Sequence, residues 1–256
     1  MHPDLDPAKF KKRECVASEA NPNPTPIIIA CDETGSMGRY AEQLIKHDLG
    51  VVMKKIYDRK PVPDPQIMAV ALGDAYFDSS PIQATQFEAS IAIAKQVENF
   101  YLEGGGGSNQ GESYPLAWIL AAYKTKCDSI RQRKGRGFLF TIGDECPLPK
   151  ITKDQIRKFL DLEAQCDMDA RILLDAVQKD WRVFHLIVKP VCSQPVVDTW
   201  KEWLGQNAIV INDTTKLAEG IVSLIQLVKS GDPDEVVGSW SGVSEVRDIV
   251  LQAAGR

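Results

Sequence analysis

The chain has 256 residues, 44% hydrophobic and 25% charged, an ordinary globular balance at a length where one large α/β domain is as expected as two small ones. Its 35 acids against 30 bases leave a net charge of −5, which argues against an electrostatic nucleic-acid surface. No apolar run approaches the roughly 20 residues that cross a bilayer, residues 1–26 have prolines where a leader would have an apolar core, and the six cysteines form no Cys-x-x-Cys pair, so a reduced cytoplasmic chain with no membrane contact is expected.

Residues 1–26 read as an extended segment, because the prolines at 22, 24 and 26 push their predecessors out of the helical region. Ile27–Asp32 is a strand whose unbroken apolar character implies burial on both faces, as in a parallel sheet. Residues 39–56 repeat apolar side chains at a helical period. Residues 67–72 form a second buried strand, 82–87 a short edge strand, and 89–100 a helix. The run Glu103-Gly-Gly-Gly-Gly-Ser-Asn-Gln-Gly-Glu112 is a loop that needs unusual dihedrals. After it come a helix at 114–125, a strand at 137–142, helices at 152–160 and 170–179, a strand at 183–188, a helix at 196–204, a strand at 208–211 and a helix at 217–228. Strands alternating with helices predict a three-layer α/β/α architecture, doubly wound and Rossmann-like around a mostly parallel sheet. The expected organisation is an extended segment 1–26, a domain 27–229 and a tail 230–256 with one short helix at 243–253.

Three strand-end loops carry polar residues that such a sheet would bring to one end. The first supplies Asp32, Thr34 and Ser36, a carboxylate and two hydroxyls at alternate positions. The second supplies Ser108 or, one residue on, Asn109. The third supplies Asp144, at the tip of the strand ending at Ile142. Oxygen-only donors of this kind suit a hard cation such as Mg2+ or Mn2+, and open α/β sheets carry ligands beyond the carboxyl ends of their strands. Helix capping would explain any one of these residues, since Asp, Ser and Thr are preferred caps, but not three sets at three strand tips. Asp74, at the tip of the second strand, reads equally as a neighbour of the site or as a turn cap. Glu33 and Glu145 read as solvent-facing, His185 as a core residue.

The order and chemistry of these motifs resemble the von Willebrand factor A domain with its metal-ion-dependent adhesion site. Asp32-Glu-Thr34-Gly-Ser36 matches the family's Asp-x-Ser/Thr-x-Ser, Gly106-Gly107-Ser108 stands where the family has Gly-Gly-Thr, and Thr141-Ile-Gly-Asp144 departs from the commoner Thr-Asp-Gly. The resemblance covers about residues 27–229. It implies a non-catalytic protein–protein interaction module whose Mg2+ or Mn2+, held by Asp32, Thr34, Ser36, Ser108 and Asp144, accepts an acidic side chain of a partner; an AAA+ ATPase complex is the partner class it suggests.

A second resemblance competes. Asp32-Glu-Thr-Gly-Ser36 is similar to the nucleophile motif of haloacid-dehalogenase-like phosphotransferases, and Gly73-Asp74-Ala-Tyr-Phe-Asp78 to their last motif. It implies an aspartyl phosphate on Asp32 beside Mg2+. Against it, Gly73-Asp74 comes too early in the chain, no lysine stands at a strand end between the two motifs, and the glycine loop and Asp144 are left without a role.

Overall fold

The computed structural model describes residues 1–107, 111–240 and 244–256. In chain order the strands are β1 (Arg13–Cys15), β2 (Thr25–Asp32), β3 (Pro65–Leu72), β4 (Ile82–Ala84), β5 (Thr125–Cys127), β6 (Gly137–Gly143), β7 (Lys150–Ile151), β8 (Met168–Asp169), β9 (Trp181–Val188) and β10 (Ala208–Ile211). Six of them form the central sheet in the order β10-β9-β6-β2-β3-β4, parallel except for β4, which runs antiparallel to β3. This is the predicted three-layer α/β/α fold.

β2 lies at the centre, in register with β3 from Thr25↔Pro65 to Asp32↔Leu72 and with β6 from Ile27↔Phe138 to Cys31↔Ile142. Side chains alternate across a strand, and both faces of β2 are covered. Ile28 and Ala30 join Met68, Val70 and Leu139 under the helices Tyr114–Tyr123, Lys153–Leu160, Ala170–Val177 and Gln194–Leu204. Ile27, Ile29 and Cys31 join Ile67, Ala69, Phe138 and Phe140 under Leu49–Arg59 and Leu217–Ser230. Each such wholly buried aliphatic side chain stabilises the fold by roughly 1.5–3 kcal/mol, so the sheet centre is rigid and its strand tips are well placed. From β2 the chain moves to β3 on one side and later returns to β6 on the other. The strand order therefore reverses at β2/β6, the position where such sheets open a crevice at their carboxyl ends.

Some elements differ from the sequence-based expectation. The helix after β2 contains a π turn at Leu44–Asp48 between Arg39–Gln43 and Leu49–Arg59. Residues 1–26 are not simply extended: Pro3–Leu5 is a 3-10 turn, and β1 pairs in parallel with β5, burying Leu5 and Cys15. That partner lies more than a hundred residues away, which no local pattern reveals. The tail holds two helices, Pro233–Gly238 and Ser244–Ala253, rather than one; Asp232 caps the first by accepting from the backbone N–H groups of Asp234 and Glu235. The two-residue strands β7 and β8 are too short for periodicity to show.

Candidate functional site

Asp32, Thr34, Ser36 and Asp144 converge at the carboxyl ends of β2 and β6, linked through their oxygens. Asp32 Oδ1 accepts from the Thr34 backbone N–H at 2.8 Å and from the Thr34 hydroxyl at 2.6 Å. Thr34 Oγ1 lies 3.1 Å from Ser36 Oγ, which donates to Asp144 Oδ1 at 3.0 Å. Asp32, Thr34 and Asp144 are buried, whereas Ser36 is exposed, so the cluster opens to solvent on the Ser36 side. Thr34 stands at the N-cap of the Gly35–Met37 turn, yet its hydroxyl makes no capping bond. Ser108 and Asn109, the expected contribution of the glycine loop, lie outside the described residues.

The preceding part of that loop is clamped to the site. Gly35 N–H donates to the Gly105 carbonyl at 2.7 Å, and a Cβ on Gly35 would meet that oxygen at 3.2 Å. Gly104 and Gly106 have φ of 60° and 109°, which residues with a Cβ rarely adopt. Asp78 holds the loop against the tip of β3, accepting from Gly106 N–H at 3.2 Å and from Asp74 N–H at 2.6 Å.

Three features of the site were not assigned from sequence. Tyr114, at the start of its helix, donates its hydroxyl to Asp32 Oδ2 at 2.7 Å, and Gly143 makes room for that approach: a Cβ there would lie 1.9 Å from Tyr114 Oη. Behind Tyr114, the imidazole of His185 stacks on Trp200 with centroids 3.6 Å apart and meets Thr141 Oγ1 through Nδ1 at 2.8 Å. Glu112, which in the sequence only closes the glycine loop, is buried, and its Oε2 has no hydrogen-bond partner. Asp74 is wholly buried; Oδ1 accepts from Tyr76 N–H at 2.8 Å, so it does cap the turn, while Oδ2 has no partner. The expectation for Glu33 is corrected: it points inward beneath the loop, where Gln83 Nε2 donates to it at 3.4 Å, because β2 extends one ladder bond past Asp32 through Glu33 N–H to the Leu72 carbonyl.

The carboxyl groups resist ionisation. Burial pushes Asp32 up to about 6 against the donation from Thr34 and Tyr114. Burial and the charge of Asp32 push Asp144 up to about 7, and burial with repulsion from Asp32, Asp74 and Asp144 pushes Glu112 up to about 9. No ion pair among the described residues includes any of these acids. Three hydroxyl protons, from Thr34, Ser36 and Tyr114, serve the oxygens of Asp32 and Asp144. Among the described residues, no group of three or more His, Cys, Asp or Glu side chains is placed to hold a metal ion, so any cation here would depend on the hydroxyls as well. A donor set made only of oxygens and open on one side fits a hard divalent cation.

Exposed aromatic rings lie on the segments next to the glycine loop and the tip of β3. Tyr76 and Phe77 follow Asp74, Phe77 lies where a Cβ on Gly107 would clash, and Tyr101 is tied to Gln83 through its backbone.

No protein-family model matches the sequence, and neither does any curated protein. Among solved structures, the chain is similar to the pilus adhesin SpaC of Lactobacillus rhamnosus GG in its open conformation (TM-score 0.57, 7% identity, covering 84% of this chain and 31% of that one). It is also similar to proximal thread matrix protein 1 of the mussel byssus (TM-score 0.50, 11% identity, 84% of this chain and 47% of that one). A von Willebrand factor type A protein from Catenulispora acidiphila also matches, at a TM-score of 0.47 too low to add weight (12% identity, 80% of this chain and 42% of that one). The chain thus spans less than half the length of each of these structures, and at such identities the likeness is one of fold. Strand order and the single antiparallel edge strand give the three-layer α/β/α fold expected from the resemblance to the von Willebrand factor A domain.

Proposed function

We propose that this chain is a divalent-cation-dependent protein-recognition module, with Asp32, Thr34, Ser36 and Asp144 holding Mg2+ or Mn2+. One observation carries the reading: two buried carboxyl groups and two hydroxyls, all oxygen donors, converge at a strand-order reversal with no cationic partner among the described residues. The cation, when bound, would supply a Lewis-acidic position for a partner's oxygen. The chain's own part is to fix the ligand oxygens through Tyr114 and Ser36, to exclude water on the Tyr114 side, and to present Tyr76, Phe77 and Tyr101 on the segments next to the glycine loop and the tip of β3. Aromatic residues of this kind are enriched in protein interfaces and their hot spots. An AAA+ ATPase complex belongs to this proposal as the partner class.

Catalysis by Asp32 fits less well. A nucleophile must present an oxygen to its substrate, whereas Asp32 is wholly buried with both oxygens engaged, one by Thr34 and the other by Tyr114. The testing experiment is calorimetric titration of Mg2+ and Mn2+ into the native chain and Asp32→Ala, with thermal melting in chelator. Native binding should raise the melting temperature and the variant should show neither effect; at a hundredfold excess over Kd the gain is about 2.7 kcal/mol. Native-like binding by Asp32→Ala refutes the site, and phosphate transfer to Asp32 from a phosphate donor refutes the recognition reading.

A further inference from the structure

At the opposite end of the sheet from Asp32 and Asp144, the starts of β2, β6 and β9 border a cavity of about 290 Å3. Four cations line it, Arg133, Arg136, Arg182 and Lys229, and none of its lining residues is acidic. Protein surfaces ordinarily intersperse the two signs, and this chain has a net charge of −5, so four cations gathered without an acid need a reason. None of the four forms an ion pair among the described residues. Neutral acceptors hold the guanidinium groups instead. Arg133 donates to the carbonyls of Pro22 at 3.2 Å and Pro24 at 2.7 Å, and to Asn23 Oδ1 at 3.1 Å. Arg136 and Arg182 reach across between neighbouring strands: Arg136 Nη2 donates to the Trp181 carbonyl at 2.8 Å, and Arg182 Nη1 to the Arg136 carbonyl at 3.2 Å. These bonds fix three planar forks without neutralising them, and leave Arg136 Nη1 and Arg182 Nη2 without an acceptor among the described residues. Asp64 accepts from the Asn23 backbone N–H at 2.7 Å and from none of the four cations. Ser129 lines the same cavity; it is 8% exposed, and its buried hydroxyl has no hydrogen-bond partner.

We propose that this cavity binds a dianionic phosphate group, either free or as the monoester of a small molecule. Guanidinium forks match the geometry of phosphate and carboxylate oxygens, and charge-assisted bonds of this kind are the strong ones. Four cations exceed what one carboxylate neutralises. A phosphate monoester carries a charge near −2 and three acceptor oxygens, enough to engage several forks at once. The volume lies at the small end of ligand cavities, which suits a compact ester rather than a macromolecule. The inference is independent of the cation reading, since Asp32 and Asp144 stand at the carboxyl ends of strands whose amino ends form this cavity.

The test is calorimetric titration of inorganic phosphate, glycerol 3-phosphate and acetate into the full chain and its Arg182→Gln, Lys229→Glu and Lys46→Gln variants. It is run in chelator, at pH 8 and constant ionic strength, so that no divalent cation takes part, and circular dichroism reports folding. At least one of the two phosphates should bind the native chain tighter than acetate by about tenfold or more, and Arg182→Gln should weaken that binding by about tenfold or more, as loss of a charge-assisted bond does. Lys229→Glu should weaken it as well, and carries the test if Arg182→Gln fails to fold, because Lys229 belongs to no ion pair among the described residues. Lys46, paired with Glu42 outside the cavity, is the control, and its variant should bind as the native chain does. Tighter binding of glycerol 3-phosphate than of inorganic phosphate supports the site with an ester as its ligand, and the reverse order supports it with the free anion. Acetate binding as tightly as both phosphates, no binding of either phosphate, or native affinity in a folded Lys229→Glu overturns the proposal. An equal loss in Lys46→Gln overturns it too, since the effect would then belong to net charge.

Discussion

Replacing Tyr114 by Phe removes one atom from a wholly buried position and tests how the site holds Asp32. The Tyr114 hydroxyl is the donor, because burial and the neighbouring charge of Asp32 keep its own ionisation well above the ordinary tyrosine value. It is 2.7 Å from Oδ2, while the other two donations to Asp32 go to Oδ1, so the variant strips Oδ2 of its donor. A hydrogen bond to a charged acceptor is worth about 1.5–3 kcal/mol and one to a neutral acceptor about 1 kcal/mol. Asp32 ionises in the folded chain at about 6. The loss should therefore be about 2 kcal/mol at pH 8, where the carboxylate is charged, and about 1 kcal/mol at pH 5, where it is protonated. At 1.36 kcal/mol per pH unit, that difference corresponds to a further upward shift of Asp32 by roughly 0.7 units. Urea denaturation of both proteins in chelator at the two pH values measures it. Equal losses at pH 5 and pH 8, or none, would show that the hydroxyl does not support a charged Asp32.

Three further outcomes follow from the same geometry. Asp32, Asp144 and Glu112 ionise at about 6, 7 and 9 in the fold and near 4 when unfolded, so the metal-free native state binds protons that the unfolded chain releases. The stability they contribute is complete below pH 4 and declines as pH rises through 6 to 9; urea midpoints in chelator should fall between pH 5 and pH 8, Mn2+ should restore them at pH 8, and a midpoint rising over that range would contradict the burial of these groups. Gly143→Ala, which sets a Cβ 1.9 Å from Tyr114 Oη, should cost about 1–3 kcal/mol, as overpacking does, and less in a Tyr114→Phe background; strict additivity of the two would mean that no clash exists. His185 is wholly buried against Trp200, and burial holds its imidazole well below the ordinary value, so its NMR resonances should not titrate between pH 7 and pH 5, and a midpoint near 6.5 would place it in solvent.

Much of the arrangement was legible because it is encoded locally. The unbroken apolar run of β2 implied two-sided burial, and its alternation into both helical layers is what the structure contains. Asp32, Thr34 and Ser36 are close in sequence and Asp144 ends a strand paired with β2, so their meeting follows once a parallel sheet is granted. Glu33 was misread because adjacent side chains in a strand point to opposite faces, and only the ladder bond to Leu72 shows that β2 continues through it. Glu112 and Tyr114 sat in a loop and at a helix start with nothing local to separate them from surface and core residues.

The sequence by itself determined the kinds of element, their order and the parallel sheet, since hydrophobic period and proline placement act over a few residues. It also determined the hydroxyl and carboxylate chemistry at two strand tips. Only the tertiary structure decided which groups share that chemistry: the Tyr114 donor on Asp32, the Gly143 gap that admits it, the inward turn of Glu33, and the burial of Glu112 with Oε2 unpartnered. These depend on distances between segments about 30 to 80 residues apart, which are set when two helical layers pack on a sheet and leave no trace in the spacing of either segment.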